Sequence, residues 1–127
     1  MFNTLLVEHN ISYRRTLSDV LLLHSPLIDV DEADDGREAL SKVEYRRPNL
    51  IFMDLQLPES DGLSISNEIK RVYSDIVIVI LTSNSLQKYG MKACRHEVDY
   101  FISKEDACCM EKILTRVDAE LAKVSSQ

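Results

Sequence analysis

The chain has 127 residues, of which 45% are apolar and 28% charged, and this is the size and composition of one globular domain that can bury its own core. Its formal net charge of −6 argues against direct nucleic-acid binding by this domain, and no apolar run reaches the about 20 residues that a membrane-spanning helix needs. The N-terminus has no signal-peptide pattern and the three cysteines (Cys94, Cys108 and Cys109) are a poor disulfide framework, so we expect reduced thiols in a cytoplasmic protein.

Strand-like apolar runs alternate with helix-like segments along the whole chain. In chain order we predict a strand at Thr4–Val7, a helix at Ile11–Leu23, a strand at Leu27–Asp31, a helix at Arg37–Tyr45, a strand at Leu50–Met53, a helix at Leu63–Val72, a strand at Ile76–Leu81, a helix at Ser85–Arg95, a strand at Tyr100–Ile102 and a last helix from Glu105. The Ile76–Leu81 run is apolar at every position, which is typical of a strand covered on both faces. Repeated βα units predict an α/β fold, with a parallel sheet, helices on both faces and right-handed crossovers.

Polar side chains follow the predicted strands at the edge where sites form in such sheets. In an open α/β sheet, ligands bind beyond the carboxyl ends of the strands. The residues at those ends are Glu8 and His9 after the first strand, Asp54 after the third, Thr82 after the fourth and Lys104 after the fifth. We therefore expect Glu8 and His9 to face Asp54 across neighbouring strands.

Two adjacent acids, Asp34 and Asp35, follow the second predicted strand and precede Gly36. Metal ligation is conceivable from proximity alone, but acids before a helix commonly cap its N-terminus. We predict a capping and turn role for this pair, with Asp34 as the capping residue.

The residues at the strand ends suit phosphoryl transfer. Asp54 could attack a phosphorus atom and become an aspartyl phosphate. A divalent cation would bridge the acids and the phosphoryl oxygens. Lys104 would pair with another phosphoryl oxygen, and Thr82 would donate a hydrogen bond to a third. A single polar residue at a strand end usually has no functional role, whereas polar residues at four strand ends together indicate a site.

The segment FMDLQLPESDG, residues 52–62, closely resembles the phosphoacceptor loop of response regulator receiver domains. With EADDGREAL, LTS and YFISK, the resemblance covers essentially the whole chain. It implies a flavodoxin-like (βα)5 fold, a doubly wound five-stranded parallel sheet with strand order 2-1-3-4-5. Asp54 then matches the phosphorylated aspartate, and Gln56 matches the position whose backbone carbonyl binds the metal.

The resemblance implies a phosphoacceptor signalling domain of a two-component system, not an enzyme beyond its own phosphorylation and dephosphorylation. Asp54 would accept phosphate from a sensor histidine kinase or phosphotransfer protein, with Thr82 and Lys104 assisting. Thr82 matches the switch hydroxyl and Phe101 the switch aromatic. They would relay the change to the face made by the fourth helix, the fifth strand and the last helix, where a downstream protein or output domain would dock.

The chain departs from the family pattern at His9. The family usually carries two acids after the first strand, whereas this chain reads VEHN, so a histidine stands where a metal-binding acid belongs. The predicted metal ligands are Glu8, Asp54 and Gln56, with His9 as a further candidate. Three interpretations stay open: a weakened Mg²⁺ site that still supports phosphorylation, a site that favours Mn²⁺ or Zn²⁺, or a pseudo-receiver interaction module that works without phosphorylation.

Competing functions on the same scaffold have less support in the sequence. A phosphatase with Asp54 as nucleophile usually carries a second acid shortly afterwards, where this chain has Gln56. A flavodoxin-like cofactor carrier would need a phosphate-cradling loop after the first strand, and none is visible.

The predicted receiver domain spans residues 1–123, and residues 124–127 form a tail or the start of a linker. An apolar stripe with 4-3-4-3 spacing on the last helix predicts core packing, and its end predicts a helical linker or a homodimer contact. Cys108 and Cys109 are predicted early in this helix, with at least one facing outward.

Overall fold

The structure, a computed structural model, describes residues 1–83 and 98–125. Its strands are β1 (Phe2–Val7), β2 (Ile28–Ala33), β3 (Leu50–Asp54), β4 (Gln56–Leu57), β5 (Ser60–Asp61), β6 (Val77–Thr82) and β7 (Tyr100–Ser103). Its helices are α1 (Ile11–His24), α2 (Gly36–Tyr45), α3 (Gly62–Val72) and α4 (Cys109–Ser125). The helix predicted at Ser85–Arg95 and the thiol of Cys94 lie outside the described residues. None of the described helices combines the length and apolarity that a membrane span needs.

Five strands form one parallel sheet in the order β2-β1-β3-β6-β7. This order confirms the predicted flavodoxin-like fold, because β6 and β7 are the fourth and fifth strands of the sheet along the chain. The strand pair β4 and β5 forms a separate antiparallel hairpin directly after β3. This hairpin is not predicted from the sequence, since strands of two residues are too short to show a periodicity.

The sheet buries apolar side chains on both faces. Alternate residues of β1, β3 and β6 point to opposite sides, because successive side chains of a strand alternate. On one side Leu5, Ile51 and Ile78 pack beneath α2 and α3. On the other side, Leu6, Phe52 and Val79 join residues of α1 and α4, and we call this second set the α1–α4 core. Each fully buried side chain of this kind contributes roughly 1.5 to 3 kcal/mol, so the core fixes the register of the strands.

The second helix begins at Gly36, one residue before the predicted start at Arg37, and its N-cap is not the predicted residue. Asp35, not Asp34, is the N-cap of α2, and its carboxylate accepts a hydrogen bond from the backbone N–H of Glu38 at 2.8 Å. The prediction for Asp34 was wrong because its carboxylate lies 3.0 Å from the guanidinium of Arg14, away from the helix.

The last helix also begins later than predicted. Cys109 is its first residue, and residues 104–108 form turns instead of continuing back to Glu105. Asp106 Oδ1 accepts a hydrogen bond from the N–H of Cys108 at 2.8 Å, and such a local bond competes with helix formation. Cys108 is exposed and Cys109 is buried, which confirms that at least one of the pair faces outward.

Gly62 is required by the close approach of α3 to the end of β3. A Cβ atom at Gly62 would overlap the backbone carbonyl oxygen of Asp54 and lie 3.0 Å from Cγ of Met53. Backbone atoms cannot rotate aside, so we expect Gly62→Ala to lower the free energy of unfolding by roughly 1 to 3 kcal/mol in urea denaturation.

Gly36→Ala is the matched control, since Gly36 also begins a helix. A Cβ there would lie 2.7 Å from Cδ1 of Ile65 and 2.8 Å from Oγ of Ser60, which are side-chain atoms that can move. We expect Gly36→Ala to lower the free energy of unfolding less than Gly62→Ala does. Equal losses in the two variants would contradict the close backbone approach at Gly62.

Candidate functional site

Three charged side chains from three strand ends meet at one edge of the sheet. Glu8 follows β1, Asp54 ends β3 and Lys104 follows β7. The ammonium of Lys104 forms an ion pair with the Glu8 carboxylate and lies 3.3 Å from Oδ2 of Asp54. The order of the strands creates this group, because Glu8, Asp54 and Lys104 are far apart along the chain. We call these residues the charged triad.

Glu8 is only 3% exposed, yet its carboxylate has partners on both oxygens. Oε1 pairs with Lys104, and Oε2 accepts a hydrogen bond from the N–H of Asn10 at 3.0 Å. The backbone carbonyl of Glu8 accepts a hydrogen bond from Arg14 at 2.5 Å. These contacts hold a buried charge in one position, as a buried carboxylate requires.

Asp54 is a carboxyl group that its surroundings make harder to ionise. Burial, followed by the neighbouring Glu8 carboxylate, raises the pKa of Asp54 to about 6, against the opposing effect of Lys104. Oδ1 of Asp54 accepts a hydrogen bond from the N–H of Gln56 at 3.2 Å. At neutral pH the group is therefore mainly an anion, but its ionisation costs free energy in the folded protein.

Thr82 and Phe101 lie on the neighbouring strands β6 and β7. Thr82 is buried, and its hydroxyl donates a hydrogen bond to the carbonyl of Ser83 at 3.2 Å, so it does not join the charged triad in this arrangement. Its own carbonyl accepts a hydrogen bond from the N–H of Lys104 at 2.7 Å. Phe101 is partly buried against the cluster beneath α2 and α3.

His9 pairs with Asp34, whereas the sequence led us to expect it to face Asp54. Its imidazole Nδ1 lies 3.4 Å from Oδ2 of Asp34, and the side chain is 62% exposed. Arg14 contacts the other oxygen of Asp34 and also binds Glu32 at 2.8 Å. The hydrogen bond from Arg14 holds the pKa of Asp34 below its usual range, so an anion is present to attract the imidazole.

Tyr13 and Arg14 are site residues that sequence reasoning did not single out. The ring centroid of Tyr13 lies 4.6 Å from Nζ of Lys104, and its hydroxyl lies 3.9 Å from Sγ of Cys109. Burial raises the pKa of the Tyr13 phenol, with Cys109 adding to the effect, so the ring stays neutral. In the sequence, Tyr13 has helical spacing with Leu17 and Leu21, which is typical of core packing and gives no sign of a contact with Lys104.

The oxygen donors of Glu8, Asp54 and the Gln56 carbonyl are those that a hard divalent cation prefers. The two carboxylates are close enough for Glu8 to raise the pKa of Asp54, and a bound cation would relieve that repulsion. The residues therefore fit such an ion. Within residues 1–83 and 98–125, no three side chains of His, Cys, Asp or Glu form a metal-binding group, so backbone and water oxygens would complete the shell.

The raised pKa of Asp54 predicts a gain in stability for Asp54→Asn in metal-free buffer. The pKa in the folded protein, about 6, lies above the value of about 4 expected when unfolded, so stability is lost as the pH rises through this window. Asparagine removes that loss while it can still accept the hydrogen bond from Gln56. We expect Asp54→Asn to raise the free energy of unfolding by roughly 1 to 3 kcal/mol at pH 7 and to have little effect near pH 4.

Asp34→Asn is the control with the opposite sign, because the pKa of Asp34 is lowered by Arg14. Its stabilising effect is present at neutral pH and is lost as the pH falls, so Asp34→Asn should destabilise the protein at pH 7. Urea denaturation in EDTA across the pH range measures both variants. A loss of stability in Asp54→Asn at pH 7 would contradict the electrostatic assignment.

The family model for the response regulator receiver domain matches residues 4–118. Among curated proteins, the regulatory protein LuxO of Vibrio vulnificus is 28% identical over 77% of this chain and 21% of its own length. The probable transcriptional regulator ycf27 of Porphyridium aerugineum is 33% identical over 90% of this chain and 48% of its own length. The chain thus spans less than half the length of these relatives.

Solved receiver domains share the fold of this chain. The CheY-like receiver domain protein from Methanospirillum hungatei has a TM-score of 0.86 at 17% identity, covering 99% of this chain and 98% of its own. The receiver domain of NtrX from Brucella abortus has a TM-score of 0.82 at 23% identity, covering 94% of this chain and 98% of its own. With a family match over most of its length and this fold, the chain belongs to the response regulator receiver domain family.

Proposed function

We propose that this domain is a phosphoacceptor and that Asp54 takes the phosphoryl group from a sensor histidine kinase or phosphotransfer protein. The observation that carries the proposal is the charged triad, in which a nucleophile-capable carboxylate lies beside a lysine ammonium that also pairs with a buried acid. Asp54 is the member at the end of the central strand β3, and its side chain remains 13% exposed. A donor therefore has access to it from the edge of the sheet.

The transfer forms one bond and breaks one. A carboxylate oxygen of Asp54 attacks the phosphorus, while the phosphorus–nitrogen bond of a phosphohistidine breaks and the leaving imidazole takes up a proton. With acetyl phosphate as the donor, a phosphorus–oxygen bond breaks and acetate leaves. Lys104 can pair with a phosphoryl oxygen because its ammonium already lies beside Asp54. Thr82 can donate to another oxygen once its hydroxyl leaves Ser83.

A divalent cation, when bound, neutralises charge on the phosphoryl oxygens. We propose that Glu8, Asp54 and the carbonyl of Gln56 hold it, as Mg²⁺ or Mn²⁺. The pairing of His9 with Asp34 favours the weakened Mg²⁺ site among the three interpretations, because the imidazole is engaged by a carboxylate outside the charged triad.

We propose that Thr82 and Phe101 relay phosphorylation to a docking face that includes β7 and α4, where a downstream protein or output domain binds. Thr82 would turn toward the phosphoryl group, and Phe101 has room to follow because it is only partly buried. The neighbouring Tyr100 is exposed on this face, where Arg116 of α4 lies over its ring at 3.9 Å. We propose that this signalling takes place in the cytoplasm.

We propose a domain boundary at residue 123, with residues 124–127 as a tail or the start of a linker. Helix α4 continues to Ser125, two residues past this boundary. Val124 is exposed at this end and could contribute to a linker or a homodimer contact.

Incubation with acetyl phosphate, with and without Mg²⁺ or Mn²⁺, tests the phosphoacceptor. We expect intact mass to increase by one phosphoryl group in the presence of metal, and Asp54→Asn to lose the adduct. Asp61→Asn is the matched control. Asp61 lies in the same loop as Asp54 and is the N-cap of α3, a position that asparagine fills equally well. An adduct that persists in Asp54→Asn would contradict the assignment of the nucleophile.

The alternative function is a pseudo-receiver that signals by shape, and the feature that favours it is the histidine of the VEHN motif, which stands where the family usually carries a metal-binding acid. If the wild type gains no adduct with any metal while His9→Asp gains one, the alternative replaces the phosphoacceptor proposal. An adduct in both proteins excludes it.

His9→Asp is expected to bind Mg²⁺ roughly ten- to a hundredfold more tightly than the wild type, since a restored anionic oxygen ligand would be worth about 1.4 to 2.8 kcal/mol. Isothermal titration calorimetry measures the affinity directly. His9→Asn is the matched control, because it offers an oxygen donor without the charge and should gain less. Equal affinities in wild type and His9→Asp would contradict the weakened site.

A further inference from the structure

The ammonium of Lys104 is enclosed by an aromatic ring as well as by two carboxylates. Nζ lies 4.6 Å from the centroid of the Tyr13 ring while it pairs with Glu8 and Asp54. A cation within about 6 Å of such a centroid is attracted by the negative face of the ring. The lysine therefore has favourable contacts from α1 as well as from β1 and β3.

The Lys104 side chain needs such support because a lysine stem is long and flexible. Its backbone is held by the hydrogen bond from its N–H to the carbonyl of Thr82, but this leaves the stem free to rotate. The two carboxylates hold the ammonium from the ends of β1 and β3. The ring limits its movement on a further side, and the side chain is only 20% exposed.

Tyr13 is itself held in place. Its N–H donates a hydrogen bond to Oδ1 of Asn10, the N-cap of α1, at 3.0 Å. Its ring packs against the α1–α4 core, and its hydroxyl contacts Sγ of Cys109 at 3.9 Å. A rigid ring with few rotatable bonds can therefore fix a flexible neighbour.

We propose that Tyr13 is a positioning residue for phosphoryl transfer, whose ring keeps the Lys104 ammonium beside Asp54. This proposal rests on the proposed function for its kinetic consequence, although the Tyr13–Lys104 contact can be tested alone. During transfer, Lys104 has to pair with a phosphoryl oxygen, and a displaced ammonium would stabilise the transition state less. The ring, not the hydroxyl, carries this role.

Tyr13→Phe and Tyr13→Leu separate the ring from the hydroxyl. Phenylalanine keeps the ring over Lys104 and loses only the contact with Cys109, whereas leucine stays apolar and loses the ring. With acetyl phosphate and saturating Mg²⁺, we expect Tyr13→Phe to retain the wild-type rate constant of phosphorylation within about twofold, and Tyr13→Leu to lose roughly three- to thirtyfold.

A proton NMR measurement tests the contact without any phosphorylation. The current of the Tyr13 ring should shift the ε-methylene protons of Lys104 upfield, and their signals are assigned by their loss in Lys104→Arg. We expect the shift to persist in Tyr13→Phe and to disappear in Tyr13→Leu. Circular dichroism establishes that each variant is folded, and Tyr13→Met, which also lacks a ring, replaces Tyr13→Leu if leucine prevents folding.

Each outcome decides the proposal. Equal rate losses in Tyr13→Phe and the ring-free variant would overturn it, because they would assign the effect to the hydroxyl or to core packing. Unchanged Lys104 resonances in the ring-free variant would overturn it as well. If the wild type accepts no phosphoryl group, the proposed function fails, whereas a ring-dependent Lys104 shift would still support the positioning contact.

Discussion

Two carboxylates and one ammonium at the carboxyl edge of the sheet are the interaction on which the site depends. Glu8 is buried and Asp54 nearly so, and neither can remain an anion there without a compensating positive charge. Lys104 provides that charge from a third strand. Compensation is incomplete, since the pKa of Asp54 is still raised to about 6. A site with this residual negative charge can attract a further cation, and under the proposed function its lysine would transfer its pairing to an incoming phosphoryl oxygen.

The sheet brings the triad together through its strand order. Asp54 lies opposite Leu81 in the register of β3 and β6, and Thr82 lies opposite Ser103 in that of β6 and β7. The strands therefore end near one another, and the residues that follow them share one edge. Gly62 adds a local constraint, because only a residue without a side chain lets α3 begin so close to the Asp54 carbonyl.

The parts of the molecule that follow local rules were predictable from sequence, and the parts set by tertiary contacts were not. Buried strands show as apolar runs, and strand ends in a known topology bring Glu8, Asp54 and Lys104 together. Two adjacent aspartates are equally good caps by composition, so sequence could not choose between Asp34 and Asp35. The ring of Tyr13 over Lys104 joins α1 to the end of β7, and a helical apolar spacing contains no sign of that contact.

The orientation of His9 depends on a residue of α1. Arg14 binds the Glu8 carbonyl on one side and the Asp34 carboxylate on the other, which places an anion beside the imidazole. Asp34 is therefore shared between Arg14 and His9, and both contacts oppose its movement toward the charged triad. This supports the proposal that the missing acid at position 9 leaves a weakened metal site. The same Arg14 contact keeps Glu8 in place, so the charged triad can persist when the metal is bound weakly.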